Sequence, residues 1–170
     1  MGRTMDTTAI LKELLPTYVL PIRGIHGVSH WARVLENGLR IAEVTGADIE
    51  VVTLFALFHD CRRANDGRDP DHGRRGAERA ELLRGSLVRL SSAQFDLLSE
   101  ACRLHTDGLT EGDPTVQACW DADRLDLPRV NIELKRRLIC TEAAWELRDW
   151  ARARAADRYE PGLVTQVWGV

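Results

Sequence analysis

The sequence has no apolar run that approaches the roughly 20 residues needed to cross a bilayer, which predicts no transmembrane segment. The N-terminal stretch has Asp6 and Glu13 among its apolar residues and so lacks the uninterrupted apolar region of a signal peptide. The four cysteines show no Cys-x-x-Cys spacing, and we expect reduced thiols rather than a disulfide framework. These absences favour a cytoplasmic protein without a membrane partner.

An excess of positive charge is also missing. The formal net charge is −3, so we expect no surface for nucleic acid or anionic lipid. Among the 23 basic residues only Lys12 and Lys135 are lysines. Guanidinium groups bind phosphate and carboxylate in a fork, but a GC-rich coding background produces the same bias, and we favour that explanation for most of the arginines.

No segment alternates apolar and polar residues long enough to indicate a strand, whereas helical periodicity dominates. The sequence therefore predicts an all-α fold, and its length of 170 residues predicts one domain over 1–170. The segment 49–60, IEVVTLFALFHD, is apolar nearly all round and predicts a central buried helix. Further helices are predicted near 6–15, 28–44, 72–83, 92–104, 116–125 and 134–156. The last helix is expected to pack on its own domain, with a homodimer contact as the alternative.

Five histidines lie near predicted helix ends or loop borders: His26, His30, His59, His72 and His105. His59 and Asp60 end the most apolar segment of the chain. A buried carboxylate without a partner is costly, because desolvation favours its neutral form. A metal ion bound by this carboxylate and the adjacent imidazole would remove that cost.

A group of acidic residues in WDADRLDLPRV supplies a second candidate: Asp121, Asp123 and Asp126. Either Asp121 or Asp123 could turn toward the protein interior. They cannot both face the same point, because residues two apart on a helix lie on different faces. The sequence leaves this choice open.

Three motifs occur together in order: His30 in HWARV, the pair His59–Asp60, and Asp123 in DADRLD. This set resembles the HD-domain metal-dependent phosphohydrolase superfamily, over roughly residues 26–130. The resemblance implies a compact helical bundle with a metal site between its central helices.

The resemblance also implies a set of metal ligands. Members with four ligands hold one divalent metal, here through His30, His59, Asp60 and Asp123. Members with two further histidines hold two metals, and His72 in PDHGRRGAE and His105 in ACRLHTDG are the candidates, with Asp60 as the bridging carboxylate. Imidazole and carboxylate ligands suit Mn, Fe, Co, Ni or Zn. Otherwise His72 is an exposed residue at a helix start, and His105 is a helix-end residue favoured by the dipole.

The activity implied is hydrolysis of a phosphoester of a nucleotide or another small phosphorylated metabolite by metal-activated water, with Asp60 as the central catalytic residue. Two departures disfavour particular substrates. The Glu-Asp pair of guanosine tetraphosphate hydrolases is replaced by Cys61-Arg62-Arg63-Ala64, and HTDGLTEGDP lacks the Gly-Tyr-Pro motif of enzymes that cleave cyclic di-GMP. Arg63 stands where mononuclear nucleotidases of the family often carry a glutamate.

Arginines flank both histidine motifs in a loop expected to border the site. Arg62 and Arg63 are candidates for neutralising charge in the transition state, and Arg74 and Arg75 for binding substrate phosphate. The alternative is a solvated basic loop balanced by nearby aspartates. Two further residues are candidates for contacting substrate: Asp107, which follows His105, and His26, one helical turn before His30.

Two other functions remain open on the same residues. One is a di-iron oxygenase, which shares the helical architecture and the ligand order. The other is a non-catalytic metal-binding or regulatory module. The presence of every ligand type in order argues against the second, because a binding module does not need the full set.

Overall fold

The computed structural model describes residues 5–170, and these residues form helices and loops without a β-strand. The predicted all-α fold is therefore confirmed. In chain order the helices are α1 (Thr7–Leu14), α2 (Val28–Thr45), α3 (Ile49–Phe58), α4 (His72–Leu82), α5 (Ser92–Leu104), α6 (Pro114–Arg124), α7 (Glu142–Ala156) and α8 (Gly162–Gln166). Short 3-10 turns occur at Leu15–Thr17, Leu127–Val130 and Arg136–Leu138.

Local capping explains why most predicted boundaries agree with the structure. The Asp6 carboxylate accepts a hydrogen bond from the backbone amide of Ala9 in α1. The Asp48 carboxylate accepts from the backbone amides of Glu50 and Val51 in α3. Gly46 ends α2 in the left-handed conformation, with φ of 74°, which glycine adopts without the steric cost of a Cβ. Ser91 and Gln94 form a reciprocal capping box at the start of α5. Each device acts within about one helical turn, so the sequence alone reveals it.

Helix α3 lies at the centre of the bundle, in contact with α2, α4, α5 and α6. Leu54, Phe55, Leu57 and Phe58 are fully buried, which confirms the prediction of a central apolar helix. Its 10 residues are far fewer than a bilayer needs. Within residues 5–170, no helix combines the length and apolar character that crossing a membrane requires.

Glycines allow helix α4 to approach its neighbours closely. A Cβ on Gly73 would lie 2.1 Å from the carbonyl oxygen of Cys102 in α5. A Cβ on Gly76 would lie 2.2 Å from the carbonyl oxygen of Phe58 in α3. Both distances are too short for any side chain, so glycine at these positions lets the backbones meet. This close packing brings His72, the first residue of α4, toward the ends of α3 and α5.

The predicted helix over 134–156 begins only at Glu142, so that boundary was wrong. The cause is a contact distant in sequence. The carboxylate of Asp121 accepts hydrogen bonds from the amides of Cys140 and Thr141, at 2.7 and 2.8 Å, and from the Thr141 hydroxyl. These bonds hold the backbone before α7 in an extended conformation. Helix α7 packs on α2 and on the turn that follows α6, as expected for a helix that covers its own domain.

Candidate metal centre

Six sequence-predicted ligands come from five helix ends that meet in the interior. His30 lies in the first turn of α2, His59 and Asp60 directly follow α3, and His72 begins α4. His105 directly follows α5, and Asp123 lies in the last turn of α6. All are buried except Asp123, whose side chain is 16% exposed. Two groups of potential metal donors share Asp60: His30, His59 and Asp60, and Asp60, His72 and His105.

The first group surrounds one point. The Nε2 atoms of His30 and His59 are 3.1 Å apart. Asp60 Oδ2 lies 3.5 Å from the first and 3.8 Å from the second. Asp123 Oδ1 lies 3.4 and 3.6 Å from the same two nitrogens. Two imidazole nitrogens and two carboxylate oxygens therefore converge.

The second group uses the other oxygen of Asp60. The Nε2 atoms of His72 and His105 are 2.9 Å apart, and they lie 3.1 and 3.8 Å from Asp60 Oδ1. Asp60 thus presents one carboxylate oxygen to each histidine pair. This is the arrangement expected of a carboxylate that bridges two metal positions.

Hydrogen bonds orient all four imidazoles in the same sense. In every ring Nδ1 faces an acceptor, so the neutral ring carries its proton on Nδ1 and has its lone pair on Nε2. The Nδ1 contacts are His30 to Asp126 Oδ2 at 2.6 Å, His59 to Phe55 O at 3.1 Å, His72 to Asp69 O at 2.5 Å, and His105 to Cys102 O at 2.7 Å.

This orientation tests whether the residues fit a metal. In neutral rings, two pairs of Nε2 lone pairs would face each other and the Asp60 oxygens, with no hydrogen between them. Such an arrangement is repulsive unless a proton or a metal ion lies between the donors. Imidazole nitrogen with carboxylate oxygen is a donor set that suits divalent transition metals. The residues therefore fit a metal at either position.

The electrostatics of the site favour ionised carboxylates. Burial by itself raises the pKa of Asp60, but His59 and hydrogen bonds from the other histidines hold that pKa well below its usual value. Burial and Arg129 act to lower the pKa of His30. Hydrogen bonds to three aspartates outweigh them and raise the pKa of His30 to about 9. Burial lowers the pKa of His59. Without a metal, a proton on His30 partly balances the negative charge.

The structure shows which of Asp121 and Asp123 faces the histidines, a choice that the sequence left open. Asp123 faces the histidines, whereas Asp121 faces the loop before α7 and holds Cys140 and Thr141. Burial raises the pKa of Asp121 despite these hydrogen bonds. Asp121 therefore has a structural role, and Asp123 is the residue placed to bind a metal.

Two further candidates contact the bridging carboxylate. His26 Nδ1 lies 3.0 Å from Asp60 Oδ2, and Arg63 Nε donates to Asp60 Oδ1 at 3.0 Å. Arg63 is itself held by the carbonyl oxygens of Asn65 and Gly67. Both side chains thus lie against the metal-binding residues, although neither is part of the two donor groups.

The structure does not bring four other candidates to the cluster. Arg62 donates to the carbonyl of Thr17, and the exposed Arg74 pairs with Asp71 and Glu78. Arg75 pairs with Asp69 and donates to the carbonyl of Arg62. Asp107 is exposed in the loop after α5. Ion pairs and backbone carbonyls occupy the three arginines, and a substrate role for Arg62, Arg74, Arg75 and Asp107 stays a prediction.

The sequence grouped Asp126 with Asp121 and Asp123 without showing its role, suggested Arg33 only as a partner for a metal-binding carboxylate, and gave no indication of Arg129. Asp126 is buried and accepts from Arg33 Nε at 2.7 Å and Arg33 Nη2 at 3.1 Å, besides its bond to His30. Arg129 lies 3.7 Å from the same carboxylate. The spacing of Asp126, three residues after Asp123, was the available signal, because residues i and i+3 share a helical face.

Comparison with known proteins supports the class that the geometry defines, an all-α domain with a buried histidine–aspartate centre. No family model matches the chain, and no curated protein matches it. Among solved structures, a predicted HD superfamily hydrolase from an uncultured Thermotogales bacterium is similar, with 29% sequence identity and a TM-score of 0.57. The match covers 94% of this chain and 85% of that one. The chain has the HD-domain fold, and the resemblance to the HD superfamily that its motifs indicate is confirmed.

Proposed function

We propose that this protein is a metal-dependent phosphohydrolase that hydrolyses a phosphoester of a nucleotide or another small phosphorylated metabolite. The observation that carries the proposal is the placement of Asp60, with one carboxylate oxygen facing each histidine pair. The similar structure is described as a predicted HD superfamily hydrolase, which supports hydrolysis as the class of reaction.

The residues divide into two metal positions. His30, His59 and Asp123 would hold the first, His72 and His105 the second, and Asp60 both. Bound divalent metals would supply Lewis acids that polarise a phosphoryl oxygen and lower the pKa of water. Asp123 is the partly exposed member of the set, so the first position has contact with solvent beside this side chain.

Other side chains keep this arrangement in place. His26 and Arg63 each contact one oxygen of Asp60, so the carboxylate is held from both sides. Because Arg63 brings a fixed positive charge to the centre, it would also offset negative charge that develops on the phosphoryl group. His26 would position Asp60 without binding the metal itself.

Metal content tests the ligand assignment. Elemental analysis of protein reconstituted with Mn and then desalted is expected to give about two metals per chain. Asp60→Ala should lose both metals, because it removes the shared ligand, and His105→Ala should keep one. His26→Ala should keep two. Equal metal loss in Asp60→Ala and His26→Ala would show that the N-terminal ligand is assigned to the wrong histidine.

Activity tests the reaction. The Mn-loaded protein is expected to release phosphate from a panel of nucleoside monophosphates and sugar phosphates, and Asp60→Asn to abolish this release. Asp96→Asn, on the exposed face of α5, makes the same chemical change away from the site and should keep full activity. Dioxygen consumption by the iron-loaded protein without phosphate release would instead favour a di-iron oxygenase. Full metal occupancy with neither reaction would favour a binding or regulatory module.

A further inference from the structure

A cavity of about 420 Å³ is lined by Arg33 and Arg129, the two arginines that contact Asp126, and by none of the residues of the two metal-donor groups. Its charged lining residues are the arginines Arg23, Arg33, Arg129 and Arg158 and the acids Asp66 and Glu160. Asp126, which contacts Arg33 and Arg129, adds a third acid beside the lining, so four arginines face three acids around the cavity. Such a lining favours an anionic ligand.

Two of the arginines are nearly completely buried and held in fixed orientations. Arg33 donates to Asp126 through Nε and Nη2 and to the carbonyl of Tyr159 through Nη1. Arg129 donates through Nε to the carbonyl of Ile25 and through Nη1 to the carbonyl of Asp126. A guanidinium has five N–H donors, so each group keeps donors beyond those that hold it.

The Nη2 group of Arg129 has one hydrogen-bond contact among residues 5–170, and it is with a histidine nitrogen. Its contact is His26 Nδ1, at 3.3 Å, and that same nitrogen lies 3.0 Å from Asp60 Oδ2. A ring nitrogen either accepts from Arg129 or donates to Asp60, so it serves only one of these two neighbours. The Nη2 group has two N–H donors, so at least one of them has no acceptor among residues 5–170, and an oxyanion in the cavity would supply one.

A third arginine stands free at the edge of the cavity. Arg158 is exposed and has no ion-pair partner among residues 5–170. Its backbone has a φ of 49°, in the left-handed region that non-glycine residues seldom adopt. The next residue, Tyr159, accepts from Arg33 through its carbonyl, which ties this turn to the buried arginine. By contrast, Arg23 is already paired with Glu160.

We propose that this cavity binds a phosphate group, the second anionic group of a substrate whose reacting phosphate lies at the metal centre. The substrate class is then a metabolite with two phosphates. Arg129 places the cavity near the metal centre, because it lines the cavity and contacts the His26 nitrogen that contacts Asp60. The link to catalysis rests on the proposed function, whereas anion binding by the cavity does not.

Phosphate binding to the metal-free protein tests the cavity separately from the reaction. We expect isothermal titration calorimetry with inorganic phosphate to show binding that Arg158→Asn weakens about tenfold or more, the effect of losing one charged hydrogen bond. Asparagine is chosen because it tolerates the left-handed backbone. Arg129→Lys should weaken binding likewise, since lysine keeps the charge but lacks the fork. Arg103→Gln, on the exposed face of α5, should bind phosphate as the unmodified protein does.

Kinetics test the assignment to substrate. In the Mn-loaded protein, Arg158→Asn should raise KM for an adenosine bisphosphate about tenfold, with kcat and the kinetics on adenosine monophosphate unchanged. Absence of phosphate binding to the metal-free protein, or equal binding by Arg158→Asn and Arg103→Gln, would overturn the proposal. Arginine-dependent phosphate binding without any phosphoester turnover would refute the proposed function, and would overturn the cavity as a substrate site while supporting it as an anion site.

Discussion

Replacing Asp126 by asparagine tests whether the metal centre depends on a residue that binds no metal itself. Asparagine keeps the size of the side chain but removes its charge, and it places an amide N–H₂ among groups that are all donors. The carboxylate now accepts from His30 Nδ1 at 2.6 Å and from two nitrogens of Arg33, the nearer at 2.7 Å. Asp126→Asn therefore removes two things at once: the acceptor that orients the His30 ring and the negative charge that neutralises buried Arg33.

The size of both effects can be estimated. Removing one member of a buried ion pair costs about 3–5 kcal/mol, since it leaves the other charge buried without a partner. A domain of this kind has about 5–15 kcal/mol of stability, so we expect Asp126→Asn to fold with a lower free energy of unfolding. Loss of the partner that orients a metal-binding histidine lowers metal affinity by about 10–100-fold. We expect this loss of affinity at the first metal position, to which His30 contributes a nitrogen.

The assay is competition with a chromophoric chelator for Mn or Zn, with chemical denaturation measured on the same samples. Asp121→Asn is the matched control, because Asp121 is equally buried but bonds to the loop before α7. It should lose about 1–3 kcal/mol of stability and keep its metal affinity. Unchanged metal affinity in folded Asp126→Asn, or equal loss in both variants, would refute the reasoning.

Three further predictions concern packing, an unpaired hydroxyl and pH. Gly73→Ala should lower stability by about 1–3 kcal/mol and reduce metal content, because its Cβ would lie 2.1 Å from the carbonyl oxygen of Cys102. The control Gly67→Ala, at an exposed position, should change neither stability nor metal content. Tyr18→Phe removes a buried hydroxyl that has no hydrogen-bond partner among residues 5–170. Chemical denaturation should therefore show a stability that is unchanged or higher by about 1 kcal/mol. A clear loss of stability would reveal a partner for this hydroxyl. The pKa of His30 is raised to about 9, so this histidine is protonated at neutral pH in the metal-free protein. Metal binding must displace that proton, so the metal affinity should rise with pH until about 9 and then level off. Calorimetric titrations with metal in buffers of different ionisation enthalpy measure the protons released. No proton release near neutral pH would contradict this prediction.

Local signals predicted most of the helix boundaries, and a contact between distant residues caused the main error. Asp48 before α3 and Gly46 after α2 act within one turn of their own helices, and they are visible in the sequence. The start of α7 depends on Asp121, about 20 residues earlier in the chain. Periodicity continued the helix through residues 134–141. Thr141 caps α7 locally by accepting from the amide of Ala144, but nothing in the segment shows that its own amides bond to another helix.

By itself the sequence determined the fold class and the types of residue that compose the metal centre. Helical periodicity sets which residues share a face, and His30, the His59–Asp60 pair and Asp123 occur in the order typical of the HD superfamily. Only the tertiary structure decided how these residues combine. Periodicity does not specify the rotation of a helix about its own axis, which packing against distant helices sets. That rotation directs Asp123 rather than Asp121 to the histidines.

The tertiary structure also decided the surroundings of the ligands. The two oxygens of Asp60 are divided between two histidine pairs, and Asp126 joins His30 to Arg33. Apart from the adjacent His59 and Asp60, these contacts join residues 12 to 96 positions apart, and each exists because several helix ends meet at one buried point. No local pattern encodes such a meeting, since it depends on the close approach of whole helices, such as the one that Gly73 permits.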